Sequence, residues 1–538
     1  SEASNTPVFL ELRIRSCHVH GRFIAKDNVR PSPSLRDAME NPQRDVSRIV
    51  LPPASFEHEH EKINERWPAA VEFIRERGLN RVVAGPRKDL GVIVQGGLYN
   101  TLQRTLERLG LADAFGATEL PLYIMNVAYP VIDDEVAGFC NDKRAVLVLE
   151  EGQPNYIEQN LESILRKAGS ETQLVGKGRL PFAGEYTSAV IRDGIVDFMQ
   201  RYAPGWQAPD DPRESVAEAA HNITDSVPAR PPGLCTGCPD RPVFTSLKLM
   251  QEELGEFHVS ADIGCHLFSI LPPFHIGNTT MGYGLGAAGA SAFSTNSDKP
   301  AISIMGDGGF WHNGLTSGIG NAVFNRSDGL TIVIDNNYSA ATGGQDLLSS
   351  SNKNANRSTQ HPIEKAVRGV GVDWARTVRT YDIGAMRAAL KEAVSRKGAG
   401  PKVLVAQSEC MLNKQRREKP LFVNAVKARK RVIEERFGVD EDTCTGDHAC
   451  IRLSGCPSLT IRENPDPLKT LPVSYVDNSC VGCGNCGEVA HEAVLCPSFY
   501  KGEVVHNPGW LDRLLWSLRS SVIGWLQSRA ERRRLRAA

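Results

Sequence analysis

Two largely apolar runs, Ala301 to Met305 and Leu330 to Ile334, each broken only by one hydroxyl residue, Ser303 and Thr331, stand out in the hydrophobic pattern of the chain. Runs this short, bounded by turn residues, predict strands buried on both faces. The first stops at Gly306-Asp307-Gly308-Gly309 and the second at Asp335-Asn336-Asn337, with a helix-length segment between them. Further strands are expected at His258 to Ile263 and Val403 to Ala406, and an alanine- and glycine-rich helix within Asn278 to Phe293. Strand and helix alternate, which implies a parallel α/β sheet over residues 234–440.

The same alternation recurs earlier. Apolar strands are expected at Leu90 to Val94, Leu122 to Met125 and Ala145 to Leu149, and a helix at Thr101 to Leu109 with Leu102, Leu106 and Leu109 on one face. Residues 41–203 thus read as a second α/β domain. Before them, residues 1–40 offer one strand-like run, Pro7 to Ile14. Residues 204–233 are rich in proline and read as a linker. Residues 411–440 read as a basic helical connector, and 441–500 as a small cysteine-dominated domain. In 501–538, Leu511, Leu514, Leu515, Leu518, Val522, Trp525 and Leu526 fall on one helical stripe that ends in Arg532 to Arg534 and Arg536. Such a basic amphipathic helix suits a partner subunit, this protein's own surface or a membrane surface.

Composition narrows the class. Hydrophobic residues make up 41% and charged residues 23% of 538, ordinary for a globular chain. The net charge of −1 gives no global signal for nucleic acid. No eighteen-residue apolar run and no leader pattern are visible, so a cytoplasmic location is expected, with peripheral membrane contact through the terminal helix as the one exception. Of thirteen cysteines, eleven follow residue 234 and several form C-x2-C pairs. That distribution favours metal or cluster binding over disulfides.

The strand ends carry the first chemistry. Asp307 and Asn336 lie 29 residues apart, each just beyond a predicted buried strand. Two hard oxygen donors at one sheet edge suit a small divalent cation whose other positions are filled by a phosphorylated ligand. Glycines 306, 308 and 309 and the following helix N-terminus would face phosphates. The pattern resembles the diphosphate-and-magnesium motif of thiamine diphosphate enzymes. That resemblance implies ligation of Mg2+ by Asp307, Asn336 and the main-chain oxygen of Tyr338. Met281 and Gly282 open the small-residue helix and are candidates for close approach to the cofactor. His312 follows the glycine loop and reads equally as a catalytic or a structural histidine. Glu150-Glu151 at a strand end reads as a helix cap or solvated pair ahead of a catalytic pair.

The cysteines carry the second. Cys480-x2-Cys483-x2-Cys486 with Cys496-Pro497 fits a ferredoxin cubane site better than zinc, which usually pairs two C-x2-C knuckles. The preceding half has Cys444, Asp447, Cys450 and Cys456, with Asp447 where a ferredoxin has its middle cysteine. Iron there would be held by carboxylate, be labile enough to leave a three-iron cluster, or be absent. The ferredoxin pattern implies a crossover, Cys496 completing the first site and Cys456 the second. Cys235, Cys238, Cys265 and Cys410 form a third candidate set beside the glycine loop.

Taken in order, these parts resemble the large α subunit of the indolepyruvate type in the 2-oxoacid:ferredoxin oxidoreductase family. Arg230 to Pro239, Asp262 to Cys265, the 306–343 block and the cysteine module carry the resemblance, and Glu150 to Pro154 and Gly176 to Pro181 are similar to that family's transketolase-C-like domain. It implies a parallel-sheet thiamine diphosphate-binding fold, a transketolase-C-like α/β domain and a two-cluster ferredoxin domain. It implies oxidative decarboxylation of an arylpyruvate, with coenzyme A as acyl acceptor and ferredoxin as electron acceptor, through three [4Fe-4S] sites. It also implies a hetero-oligomer with a small γ/β-type subunit, and a separate chain or segment supplying the pyrimidine-binding domain, of which residues 1–40 would be a remnant. Pyruvate or 2-oxoglutarate as substrate, and a non-catalytic electron-transfer scaffold, are the alternatives.

Overall fold

The computed structural model describes residues 1–538 except 18, 19, 23, 26, 28–33, 212, 225–231, 296, 298, 467 and 538. Two compact units, Ser1–Pro228 and Ala229–Ala538, divide the chain.

In the first unit five strands form one sheet: β1 (Arg81–Val83), β2 (Leu90–Gln95), β3 (Leu122–Met125), β4 (Ala145–Leu149) and β5 (Gln173–Val175), in the order β1-β3-β2-β4-β5. Only the β1–β3 pair is antiparallel. The inner strands are continuous apolar runs because helices cover both faces. Leu90, Val92 and Val94 pack toward Leu102 and Leu106, while Ile93, Tyr123 and Val148 face Val136, Leu161 and Leu165.

The expected strand at Pro7 to Ile14 is absent. Pro7 to Arg13 carries no regular structure, and Ile14–Cys17 is a single helical turn. A strand needs a neighbour to accept its ladder bonds, and Val8, Phe9, Leu10 and Leu12 are exposed. Arg13 instead reaches Glu151, donating from Nη2 at 2.6 Å. Within the expected linker, Arg213–Thr224 is a helix; the expected linker residues 212 and 225–231 lie outside the described residues.

The second unit is built on a six-stranded, all-parallel sheet of β6 (His258–Ala261), β7 (Thr279–Thr280), β8 (Ala301–Gly306), β9 (Leu330–Asp335), β10 (Trp374–Arg379) and β11 (Lys402–Gln407). Its order is β10-β11-β9-β8-β6-β7. Alternate residues serve two cores. Ile302, Ile304, Ile332, Ile334 and Leu404 meet Val243, Phe244 and Leu247 of the Asp240–Leu254 helix, while Met305, Val333, Val403 and Val405 meet Phe310, Ile363 and Val367.

After β11 the helix Met411–Lys427 ends, and Val432–Val439 is a strand, β12, rather than the continuing helix expected to residue 440. It pairs antiparallel with β15 (Phe499–His506), which supplies the ladder that its local sequence does not announce. Between them lie two short helices, Ala449–Ser454 and Asn485–Val494, and a hairpin of β13 (Leu459–Arg462) with β14 (Val473–Val476). Leu249 and Ile383 share a core with Ala449, Leu453 and Val489, so this cysteine module packs on the large sheet's helices. Arg387 reinforces the joint by an ion pair with Glu492 at 2.9 Å.

The chain closes in a helix, Trp510–Ala537. Its first turn is tied down by Asp512, which accepts from Nε and Nη2 of Arg431 at 2.8 Å each. Trp510, Leu511, Leu514, Leu515, Trp516, Leu518, Val522 and Trp525 are all exposed. Among the described residues the stripe does not pack on this protein's own surface, one of its expected settings; a partner subunit and a membrane surface are the others. Among the described residues no helix is long and apolar enough to cross a membrane.

Candidate active site

β8 and β9 are adjacent and parallel, with Gly306 opposite Ile334. Their polar exits therefore fall side by side. Asp307 is 1% exposed, and its carboxylate accepts from the Gly308 amide through Oδ1 at 2.9 Å and from the Asn336 amide through Oδ2 at 3.0 Å. Asn336 Oδ1 in turn accepts from the Tyr338 amide at 3.3 Å. Asn337 between them has φ of 71°, the left-handed turn that asparagine tolerates. The structure thus brings Asp307, Asn336 and Tyr338 into one hydrogen-bonded loop pair.

This corner is short of positive charge. Burial, then the neighbouring Asp335 carboxylate, push the Asp307 carboxyl well above its usual range, against the pull of the Gly308, Asn336 and Asn337 amides. Asp335 is raised by the same burial, against the pull of the Gln407 side chain, and among the described residues its Oδ1 has no hydrogen-bond partner within reach. Two buried carboxylates, one with an orphaned oxygen, fit a site completed by a cation.

The glycines admit close approach. A Cβ on Gly308 would sit 2.1 Å from Tyr283 Oη and 2.8 Å from Ser339 Oγ. One on Gly284, whose φ is +81°, would meet the Gly309 carbonyl at 2.7 Å. The Met281 to Gly284 loop therefore lies directly on the Asp307 loop, and Met281 and Gly282 are exposed beside it. Asp262, at the exit of β6, accepts from the Gly284 amide at 2.6 Å and fixes this loop. Burial raises its carboxyl to about 6, opposed by the Gly284 and Ile263 amides. The helix that starts at Asp307–Gly309 continues as a π-helical stretch, Phe310–Gly320. A wound-out segment of this kind is common at functional sites. His312 projects from it, exposed, with its ring 5.3 Å from that of Tyr283.

Asp262, Tyr283, Ser339, Asp335 and His266 went unassigned in the sequence reading. His266 is 4% exposed, its Nε2 is unpartnered, and burial lowers it to about 4, so it is neutral. Its ring lies within 3.4 Å of where a Gly306 Cβ would be. The strand-exit positions of Asp262 and Asp335 offered a sequence signal. The others depend on loops meeting in space.

The four thiols of the third set come together beside this loop. The Cys238 amide donates to the Cys235 carbonyl at 3.2 Å, and the Cys410 amide to the Asn336 carbonyl at 3.0 Å. Cys238 and Cys265 share a core. The Cys265 thiol is pushed up to about 12, first by burial and then by the nearby Asp240, Cys410 and Cys235. Cys410 likewise feels Asp240 and Cys235.

In the cysteine module, one cavity is lined by Cys456, Cys480, Cys483 and Cys486, and another by Cys444, Asp447, Cys450 and Cys496. The two groups are those of the implied crossover. Asp447 lines the second cavity, but its oxygens already accept from the Ala449 amide at 2.7 Å and Thr445 Oγ1 at 2.9 Å. Among the described residues no three His, Cys, Asp or Glu side chains converge on a point that would hold a single ion. A cubane cluster asks for something else, four thiolates each reaching its own iron around a shared cage.

In the first unit Glu150 is a cap. Its oxygens accept from the Ile157 and Glu158 amides at 3.0 Å each. Glu151 accepts from Arg13 and from the Tyr186 amide at 2.6 Å.

Residues 262–406 match the family model described as the thiamine pyrophosphate enzyme C-terminal TPP-binding domain. The indolepyruvate oxidoreductase subunit IorA of Methanothermobacter thermautotrophicus is 28% identical over 509 residues, covering 92% of this chain and 73% of that one. The subunit of the same name from Thermococcus kodakarensis is 26% identical over 497 residues, covering 90% and 72%. A solved 2-oxoglutarate:ferredoxin oxidoreductase from Magnetococcus marinus aligns over 34% of this chain and 66% of its own, at 18% identity and a TM-score of 0.30.

Proposed function

We propose that this chain, a thiamine diphosphate-type oxidoreductase subunit related to the IorA proteins, carries out the oxidative decarboxylation of an arylpyruvate such as indolepyruvate or phenylpyruvate. The 2-oxoacid anion, coenzyme A and two oxidised ferredoxins yield the acyl-coenzyme A, carbon dioxide, two reduced ferredoxins and a proton. Thiamine diphosphate, when bound, supplies the electron sink for loss of carbon dioxide.

The chain's own residues supply the setting. Asp307, the Asn336 side chain and the Tyr338 carbonyl would hold Mg2+, and the Gly308 and Gly309 amides would face the diphosphate. The loop of Met281 and Gly282, held by Asp262, would line the cofactor. His312, exposed on the same helix, would exchange a proton with substrate. Cys235, Cys238, Cys265 and Cys410 would hold the cluster nearest the thiamine. Cys456, Cys480, Cys483 and Cys486 would hold a second, and Cys444, Cys450 and Cys496 with Asp447 a third. Asp447 stands where a fourth thiolate would be, so its carboxylate, each oxygen of which accepts one hydrogen bond and keeps a further lone pair, would either hold the fourth iron or leave it labile.

The observation that carries the reading is the joining of the β8 and β9 exits, Asp307 to Asn336, at a glycine loop on which Tyr283, Ser339 and Asp262 close. The pyrimidine half comes from another chain or segment, and a small subunit completes a hetero-oligomer. The test is a viologen- or ferredoxin-reduction assay on the anaerobically purified complex with indolepyruvate, phenylpyruvate, pyruvate and 2-oxoglutarate. Dependence on coenzyme A and preference for the aryl acids is expected. Preference for pyruvate or 2-oxoglutarate contradicts the substrate assignment, and no turnover of any contradicts the enzyme. The exposed apolar side chains and arginines of the terminal helix support contact with a partner subunit, with an anionic membrane surface as the second reading.

A further inference from the structure

Arg241 is buried at 3% exposure in the first turn of the Asp240–Leu254 helix. Its Nε donates to the Cys235 carbonyl at 3.0 Å and its Nη2 to the Leu234 carbonyl. Its Nη1 donates to the Ser454 carbonyl at 3.2 Å and to the Gly455 carbonyl. All four acceptors are neutral backbone groups. They belong to two loops, one leading into Cys235 and Cys238 and the other into Cys456.

A buried cation is expected to face a counter-charge. None of the four hydrogen bonds goes to a carboxylate. Burial opposes its charge, and the nearby Cys238, Cys456, Cys235 and Asp240 favour it. Arg241 also forms part of the wall of the Cys456, Cys480, Cys483 and Cys486 cavity, together with Thr236 and Gly237. One guanidinium therefore stands between two thiol sets. The third set, around Cys444, Cys450 and Cys496, lies in a cavity that Arg241 does not line.

A thiolate-held iron–sulfur cluster becomes more negative by one unit on reduction, and its potential follows the charges and hydrogen bonds around it. A fixed cation favours the reduced form. The planar fork also suits simultaneous donation to two loops.

We propose that Arg241 is a positioning residue for electron transfer: it latches the 234–238 loop to the 454–456 loop and raises the reduction potentials of the two clusters on either side. The proposal rests on the cluster reading above. It makes the Cys456-containing site the neighbour of the thiamine-proximal one, and the Asp447-containing site the remoter member.

The test is a redox titration followed by electron paramagnetic resonance on the anaerobically purified complex, with Arg241→Gln and Arg241→Lys beside the native protein. In Arg241→Gln the two flanking clusters move to more negative potentials while the third stays in place. Arg241→Lys, which keeps the charge, stays close to the native values. Unmoved potentials in Arg241→Gln, or an equal shift of all three clusters, overturns the proposal. Should Arg241→Gln lose a cluster, Arg241→Lys decides: native potentials support the charge, and displaced ones overturn it. A native complex without iron or cluster signals refutes the cluster reading itself, a result distinct from intact clusters that ignore Arg241.

Discussion

Asp262 shows how one carboxylate couples the cofactor loop to pH. In the folded, cofactor-free chain it keeps its proton up to about 6, whereas an unfolded aspartate releases it near 3.8. Between those values the folded state binds more protons, so this group's contribution to stability is lost as pH rises from about 4 to about 6. Asp262→Asn should flatten that part of the profile by on the order of 2 kcal/mol, read as melting temperature against pH with thiamine diphosphate absent. An unchanged profile would show that the carboxyl is not buried as described. Gly308→Ala tests the crowding. Its methyl would collide with Tyr283 Oη, so a loss of about 1–3 kcal/mol is expected, and a native melting temperature would count against the tight loop. At this scale the sequence was informative where chemistry follows a strand exit, as at Asp307 and Asn336. It was silent on His266 and Ser339, whose neighbours arrive from distant loops.

Elements repeat the lesson. Strands buried on both faces, such as Ala301–Gly306 and Leu330–Asp335, are plain in the sequence because a single small hydroxyl residue, Ser303 or Thr331, is all that breaks each apolar run before its polar exit. The π-helical stretch Phe310–Gly320 is not, since its extra residue per turn leaves no mark in a glycine-rich segment. Nor is Val432–Val439, half-exposed and dependent on Phe499–His506 for its ladder. The cysteine module makes a sharper prediction. Cys456→Ser should remove the resonance signal of the site with Cys480, Cys483 and Cys486 and spare the other, while Cys496→Ser should do the reverse. Loss of the same signal in both variants would contradict the two separate cavities. The membrane reading of the terminal helix predicts that the native complex co-sediments with vesicles containing phosphatidylserine and not with purely zwitterionic ones. Truncation after Gly509 should abolish this. Binding that survives the truncation, or ignores lipid charge, would end the membrane reading.

Across the whole second unit, one design recurs: a parallel sheet whose strand exits gather polar side chains and thiols, with the cysteine module docked on its helices through Leu249, Ile383 and Val489. The sheet, the glycine loop and the cysteine spacing were all legible in the sequence. The docking was not, because Arg241 and Arg387 reach residues more than a hundred positions away. The central claim is that the exits of β8 and β9 form a single metal and diphosphate cradle. Its most direct test is the thiamine diphosphate and magnesium content of the anaerobically purified complex, native against Asp307→Asn. The account predicts one cofactor and one magnesium per chain in the native complex and affinity weakened at least about 10- to 100-fold in the variant. Equal occupancy in the two would contradict it.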